Sequence, residues 1–451
     1  MELTKELYDT FENLLKEELQ PAFGCTEPIA IACCAARARE ILGRLPQKVL
    51  VEASGNVIKN VKSVIVPNTG GMKGIPAAAA AGIVAGQASR KLEVIAEVSD
   101  AQREEIADFL KRMQIQVRPL EGGDKLDVRI ALEAEGERAL VRISRSHANI
   151  VREEKNGEVL LDREAEQNEG SEGSGGMEGT GILGADGRED GGDGVEKRGG
   201  KGALTVEGIV RFAETADLAG VRETLDRQIS CNYSIAQEGI AHDWGANVGS
   251  VLLKTWGDDV RTRAKAMAAA GSDARMSGCE MPVVINSGSG NQGITVSVPV
   301  IVYAQELGSS REDLYRALIV SNLIAIHIKS GIGPLSAFCG AVSAGCAAGC
   351  GIAWLMGGRL EEIAHTLVNS IAIVSGIVCD GAKPSCAGKI ASSVDAGILG
   401  YAMYREGQQF YAEDGLVSKG VENTIRNICR LGTRGMCGTD DEIIRIMTHC
   451  D

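Results

Sequence analysis

The chain opens on a polar amphipathic pattern, Met-Glu-Leu-Thr-Lys-Glu-Leu, and helix is predicted through the first 45 residues apart from a break at Gln20-Pro21-Ala22-Phe23-Gly24-Cys25-Thr26-Glu27-Pro28. After the break, Ile29 to Leu42 is rich in Ala, Arg, Glu and Leu, with Gly43 placed to end the helix and Thr26 to cap it. From Lys48 to Glu153 the pattern shortens to β-branched runs at 48–52, 63–66, 94–98, 115–118, 127–133 and 139–144, with helices expected at 75–88 and 100–113. Beyond Gly202 the period returns to that of helices, at 205–217, 221–230, 247–256, 260–270, 312–329, 360–377 and 442–448. Two short extended pieces, 283–286 and 294–298, are expected to flank Ser287-Gly288-Ser289-Gly290-Asn291-Gln292-Gly293.

The fold class expected from this order is α+β, a mainly helical domain with an inserted small α+β sheet domain. The divisions are residues 1–47, a helical segment packing on the helical domain; 48–154, the sheet domain; 155–202, a flexible insertion; and 203–451, the helical domain. Within the insertion, Gly170 to Gly202 holds 14 glycines in 33 residues mixed with Glu, Asp and Ser, too little apolar surface to offset chain entropy.

At 451 residues and 44% hydrophobic content, the chain is long enough for two or three cored domains. Nothing at its start resembles an export signal, so a cytoplasmic setting is expected, in which the 13 cysteines stay reduced. A formal net charge of -14 argues against nucleic acid, and a small-molecule substrate is expected. Ser330 to Gly358 carries no charge, but its Gly, Ala, Ser and Cys content and Pro334 predict packing inside protein rather than a membrane span. Assembly as a homo-oligomer is left open.

Cys33, Cys34, Cys231, Cys279, Cys346, Cys350 and Cys429 sit among small or apolar neighbours and read as small buried hydrophobes. Cys339, Cys379 and Cys386 lie in Gly, Ser or Pro contexts where backbone can approach a cofactor, although their spacing matches no ferredoxin. Three thiolates would leave one iron of a [4Fe–4S] cluster open to substrate. Cys25 lies at a helix N-terminus, which lowers a thiol's pKa and suits a base or nucleophile, while Glu27 acts the other way and packing beneath Pro21 and Phe23 is the equal alternative. The loops Pro67–Gly74 and Ser287–Gly293 suit a small anion, yet neither matches a nucleotide-binding pattern. His327 and Lys329 close a helix, where cations complement its C-terminus.

Together, Phe23-Gly24-Cys25-Thr26-Glu27-Pro28, Gly55–Asn60, Pro67-Asn68-Thr69-Gly70-Gly71-Met72, Ser287–Gly293 and the three-cysteine set resemble the L-cysteine desulfidase family, itself related to the α-chain of iron–sulfur L-serine dehydratases. The resemblance runs through nearly the whole chain, with the Gly-rich stretch as a departure. It implies a serine dehydratase alpha-chain-like fold with a catalytic helical domain. It also implies a [4Fe–4S] cluster on Cys339, Cys379 and Cys386, Cys25 as proton acceptor, and conversion of L-cysteine and water to sulfide, ammonia and pyruvate without pyridoxal phosphate. Asn68, Thr69, Ser287 and Asn291 are the expected substrate-holding residues, and Cys437 or Cys450 is the candidate occupant of the fourth iron when substrate is absent. Two alternatives stay open: an iron–sulfur L-serine ammonia-lyase, and a noncatalytic iron–sulfur carrier or sensor.

Overall fold

A computed structural model describes residues 3–163 and 200–448, apart from Ser63, Glu121 and Pro334. Most of the Gly-rich stretch expected as a flexible insertion, and Cys450, lie outside the described residues.

Thr4 accepts a hydrogen bond from the Leu7 amide and so starts α1 (Lys5–Glu18). A short strand, β1 (Pro21–Phe23), leads into α2 (Thr26–Leu42), which Gly43 ends at φ 81° in the left-handed region that glycine tolerates best. The N-cap is Cys25, one residue ahead of the expected Thr26, because Gly24 turns the backbone at φ 75° and brings Cys25 to the helix mouth.

The sheet unit follows as β2 (Lys48–Ala53), α3 (Gly55–Val61), α4 (Gly74–Ala85), α5 (Asp100–Arg112), β3 (Ile115–Pro119), β4 (Asp127–Ala134), β5 (Glu137–Ser144), β6 (Ile150–Lys155) and β7 (Glu158–Asp162). Its strand order is β3-β2-β4-β5-β6-β7, with β2 parallel to β3 and every other pair antiparallel. β6 and β7 carry the sheet to Asp162, past residue 154, because Asn156 and Gly157, both at positive φ, make the two-residue turn of a hairpin. The strands expected at 63–66 and 94–98 do not form. Ile65 makes only an isolated bridge to Lys73, and residues 94–97 are turn.

The residues of segment 1–47 are shared between two cores. Phe11, Leu14 and Leu15 of α1 pack with the helical domain, whereas α2 buries Ile29, Ile31 and Cys34 against the sheet and α4. The Cys34 thiol lies 3.3 Å from the Val141 carbonyl, and a Cβ on Gly82 of α4 would fall 2.1 Å from the Ala32 carbonyl oxygen. Backbone contact this close explains why α2 stays with the sheet.

The helical domain comprises α6 (Val206–Thr215), α7 (Arg222–Ala241), α8 (Val248–Trp256), α9 (Val260–Met276), β8 (Pro282–Val284), α10 (Gly290–Glu306), α11 (Arg311–Ile332), α12 (Gly340–Leu355), α13 (Leu360–Val374), α14 (Ser385–Arg405), α15 (Val421–Arg430) and α16 (Cys437–Thr448). Residues 294–298, expected as extended, lie inside α10. Their β-branched side chains are fully buried there, and burial on every side outweighs strand propensity. α12 occupies most of the uncharged stretch and packs between α10, α11, α13 and α14. Gly349 and Gly397 let α12 and α14 touch, since a Cβ on Gly349 would sit 2.6 Å from the Gly397 Cα. No described helix is long and apolar enough to cross a membrane.

Candidate active site

β1 pairs antiparallel with β8, matching Pro21 to Val284 and Phe23 to Pro282, so the strap before Cys25 is stitched to the strand before the Ser287–Gly293 loop. Arg275 adds a second stitch, donating to the Gly24 carbonyl at 2.9 Å and to Asn291 Oδ1 at 3.1 Å. These links face a cavity of about 840 Å³ between the sheet unit and the helical domain.

On the far wall, Phe338 and Val378 form an antiparallel bridge. The Cys339 amide donates to the Ile377 carbonyl at 3.2 Å and the Cys379 amide to the Ala337 carbonyl at 2.7 Å. Two cysteines far apart in sequence are thereby set side by side. Cys386 enters from the first turn of α14, its thiol 3.6 Å from the Gly381 carbonyl. Cys25, Cys339, Cys379 and Cys386 all line the cavity, together with Ser287 and Asn291. Cys25 and Cys339 are N-caps, Cys386 is in a first turn, and α10 also starts at the cavity, so four helix N-termini meet there and favour negative charge.

The thiols differ in charge preference. A hydrogen bond between Cys339 and Cys379 raises the first and lowers the second, and the buried ammonium groups of Lys59 and Lys329 further favour thiolate at Cys379. Burial raises Cys386. At Cys25, burial and then the Glu27 charge push the thiol far above the usual range, outweighing Arg275 and the helix end. Its S–H points to Glu27 Oε2 at 3.3 Å. Glu27 also accepts from Thr26 Oγ1 at 3.1 Å and Asn60 Nδ2 at 2.9 Å, and lies 3.9 Å from His147 Nε2. Burial alone would raise the Glu27 carboxyl, but His147, Cys25 and backbone donors together hold it well below the ordinary range.

Asn68 and Thr69, expected to hold substrate, do not line the cavity. Asn68 Nδ2 is spent on the Ile95 and Ala96 carbonyls and the Thr69 hydroxyl on that of Val66. Their loop instead buttresses the Cys25 strap, with Pro67 against Gly24 so closely that a Cβ there would fall 2.0 Å from Pro67 Cγ. Cys437 is exposed, contacts the Thr433 carbonyl and does not line the cavity. His327 pairs with Glu422 at 2.8 Å, whereas Lys329 reaches the cavity. Among the described residues, no three His, Cys, Asp or Glu side chains are grouped to hold a metal ion.

The family model for the serine dehydratase alpha chain matches residues 89–445. The chain belongs to that family. The serine dehydratase alpha chain match takes in the whole cysteine-bearing wall, while Cys25 and Glu27 lie ahead of it. The chain is also 56% identical over 449 residues to a UPF0597 protein of Desulfitobacterium hafniense (strain Y51), covering 100% of this chain and 99% of the relative. UPF0597 proteins of Lachnoclostridium phytofermentans and Finegoldia magna are 46% and 45% identical, covering 98% and 97% of this chain and 100% and 99% of theirs.

Proposed function

We propose that this protein is an L-cysteine desulfidase, releasing sulfide, ammonia and pyruvate by α,β-elimination with a [4Fe–4S] cluster held by Cys339, Cys379 and Cys386. The observation that carries the reading is the meeting of these three thiols and Cys25 on one cavity. A four-iron cluster does not require thiols to converge on a single ion, since each thiolate takes its own iron corner. The donor set suits it: a hydrogen-bonded pair already biased to thiolate at Cys379, buried lysines nearby, and helix N-termini facing the same space.

When bound, such a cluster supplies a Lewis-acidic iron that stabilises the departing β-sulfur. The chain's own residues supply the rest. Cys25 rests as a thiol with its S–H on the Glu27 carboxylate, and it accepts the substrate's α-proton as the thiolate, after losing its own proton to solvent through the cavity. Ser287 and Asn291 line the same cavity and are the side chains assigned to hold the amino acid there. The aminoacrylate formed tautomerises and hydrolyses to pyruvate and ammonia.

A second reading, L-serine ammonia-lyase at the same site, is favoured by the family to which the chain belongs. Anaerobically purified protein assayed with both amino acids, alongside its iron and sulfide content, separates the two. Sulfide and pyruvate from cysteine support the desulfidase, and pyruvate from serine alone replaces it with the second reading. Cluster transfer to an acceptor without turnover of either amino acid points to a carrier. Loss of bound iron is expected in each of Cys339→Ser, Cys379→Ser and Cys386→Ser, and retention in all three refutes the ligand set.

A further inference from the structure

Two nitrogen-bearing side chains on the cavity wall lack a full set of hydrogen-bond partners among the described residues. Lys329, on α11, is only 6% exposed, yet its ammonium makes no ion pair or hydrogen bond within the described protein. Gln292, in the first turn of α10, is 5% exposed, and its Oε1 has no hydrogen-bond partner among the described residues. Its amide packs over Gly340, where a Cβ would fall 2.7 Å from Nε2, so Gln292 stands beside Cys339. Lys329 lines the same cavity as Cys339 and Cys379.

A buried ammonium without a hydrogen-bond partner is costly and is relieved by an anion, and the Gln292 Nε2 can donate to the second oxygen of the same anion. The other buried cations near the cavity are committed, Lys59 to Asp440 and Arg275 to Gly24 and Asn291, while Lys125 on the cavity lining is exposed. We propose that Lys329 and Gln292 form the carboxylate anchor of this cavity, so that the site selects an α-amino acid over the corresponding amine. This deepens the elimination reading and rests on it. The anchor would hold the substrate's C1 beside the cysteine wall, leaving its α-hydrogen free to face Cys25.

The test uses the cluster-loaded protein under anaerobic conditions and two non-substrate probes. 3-Mercaptopropionate keeps the thiol and carboxylate, and cysteamine keeps the thiol and ammonium. Binding is read from the change in cluster absorbance on titration and by calorimetry. Lys329→Met is expected to weaken 3-mercaptopropionate by roughly tenfold or more, as loss of a charge-assisted hydrogen bond does, while leaving cysteamine within about twofold. Gln292→Leu should act in the same direction with a smaller effect, and Lys329→Arg should retain most of the affinity. Equal weakening of both probes, or of neither, at unchanged iron content overturns the anchor. Should Lys329→Met fail to hold the cluster, the same comparison on Gln292→Leu decides. Failure of the elimination reading looks different: wild-type protein with a full cluster then turns over neither L-cysteine nor L-serine, whatever the probes do.

Discussion

The Lys59 ammonium lies 2.6 Å from Asp440 Oδ1, both side chains buried, joining α3 of the sheet unit to the C-terminal helix α16. Asn56 Nδ2 completes the contact at 3.0 Å from Asp440 Oδ2. Removing one partner of a buried ion pair strands the other charge. Asp440→Ala is therefore expected to destabilise the protein by about 3–5 kcal/mol, and the double variant Lys59→Met/Asp440→Leu by much less. Denaturant unfolding of the three proteins checks this, and equal losses in the single and double variants would contradict it.

Cys25→Ser keeps the size of the side chain but has a far less acidic proton. The variant should retain wild-type iron, sulfide and visible absorbance while turnover falls by about 10²-fold or more. Steady-state assays beside iron analysis measure both quantities. Full activity in this variant would remove Cys25 from the mechanism.

Glu27 makes a pH-dependent contribution whose direction is fixed by its depressed carboxyl. As pH falls, the unfolded chain takes up this proton before the folded one. The stabilisation is therefore complete above about pH 5 and is lost progressively below the ordinary carboxylate value of about 4.3. The difference in unfolding free energy between wild type and Glu27→Gln should accordingly be largest near neutral pH and shrink by about pH 3.5. A difference that stays flat, measured by urea titration across that range, would show that Glu27 is not held in its charged form.

The α12–α14 contact permits no side chain at its centre. Gly349→Ala places a Cβ against the Gly397 backbone and is expected to cost about 1–3 kcal/mol. Because Cys339 and Cys386 begin these two helices, iron content should fall as well. Thermal melts and iron analysis of the one variant test both effects, and unchanged values would mean that the helices separate freely.

Local chemistry made part of this molecule readable in advance. The α2 stop at Gly43 and the strands β2 to β5 follow from turn residues and β-branched runs. α10 was misread because its β-branched residues are stabilised by burial that only the folded neighbours provide. At the site, Cys25, Cys339, Cys379 and Cys386 drew notice through their backbone settings. Glu27 was seen only as a neighbour of Cys25, and Lys329 as a cation at a helix end. Their surroundings depend on His147 in a turn after β5 and on the Phe338–Val378 bridge, contacts across sequence distances that no local pattern encodes. For Cys25 the local pattern leaves a helix-end thiolate and a packed thiol equally open, and burial, which depends on distant neighbours, decides for the thiol.

The β1–β8 pairing also governs how the protein is made. A ribosome delivers Pro21–Phe23 long before its partner Pro282–Val284, Cys379 and Cys386 later still, and the Asp440 clamp after those. Until then the Cys25 strap lacks its partner strand and the cavity lacks a wall. Closing such distant contacts is slow. A cofactor held by Cys339, Cys379 and Cys386 would therefore be loaded only after Cys386 has been made, onto a chain whose β1 and β8 are already available to pair.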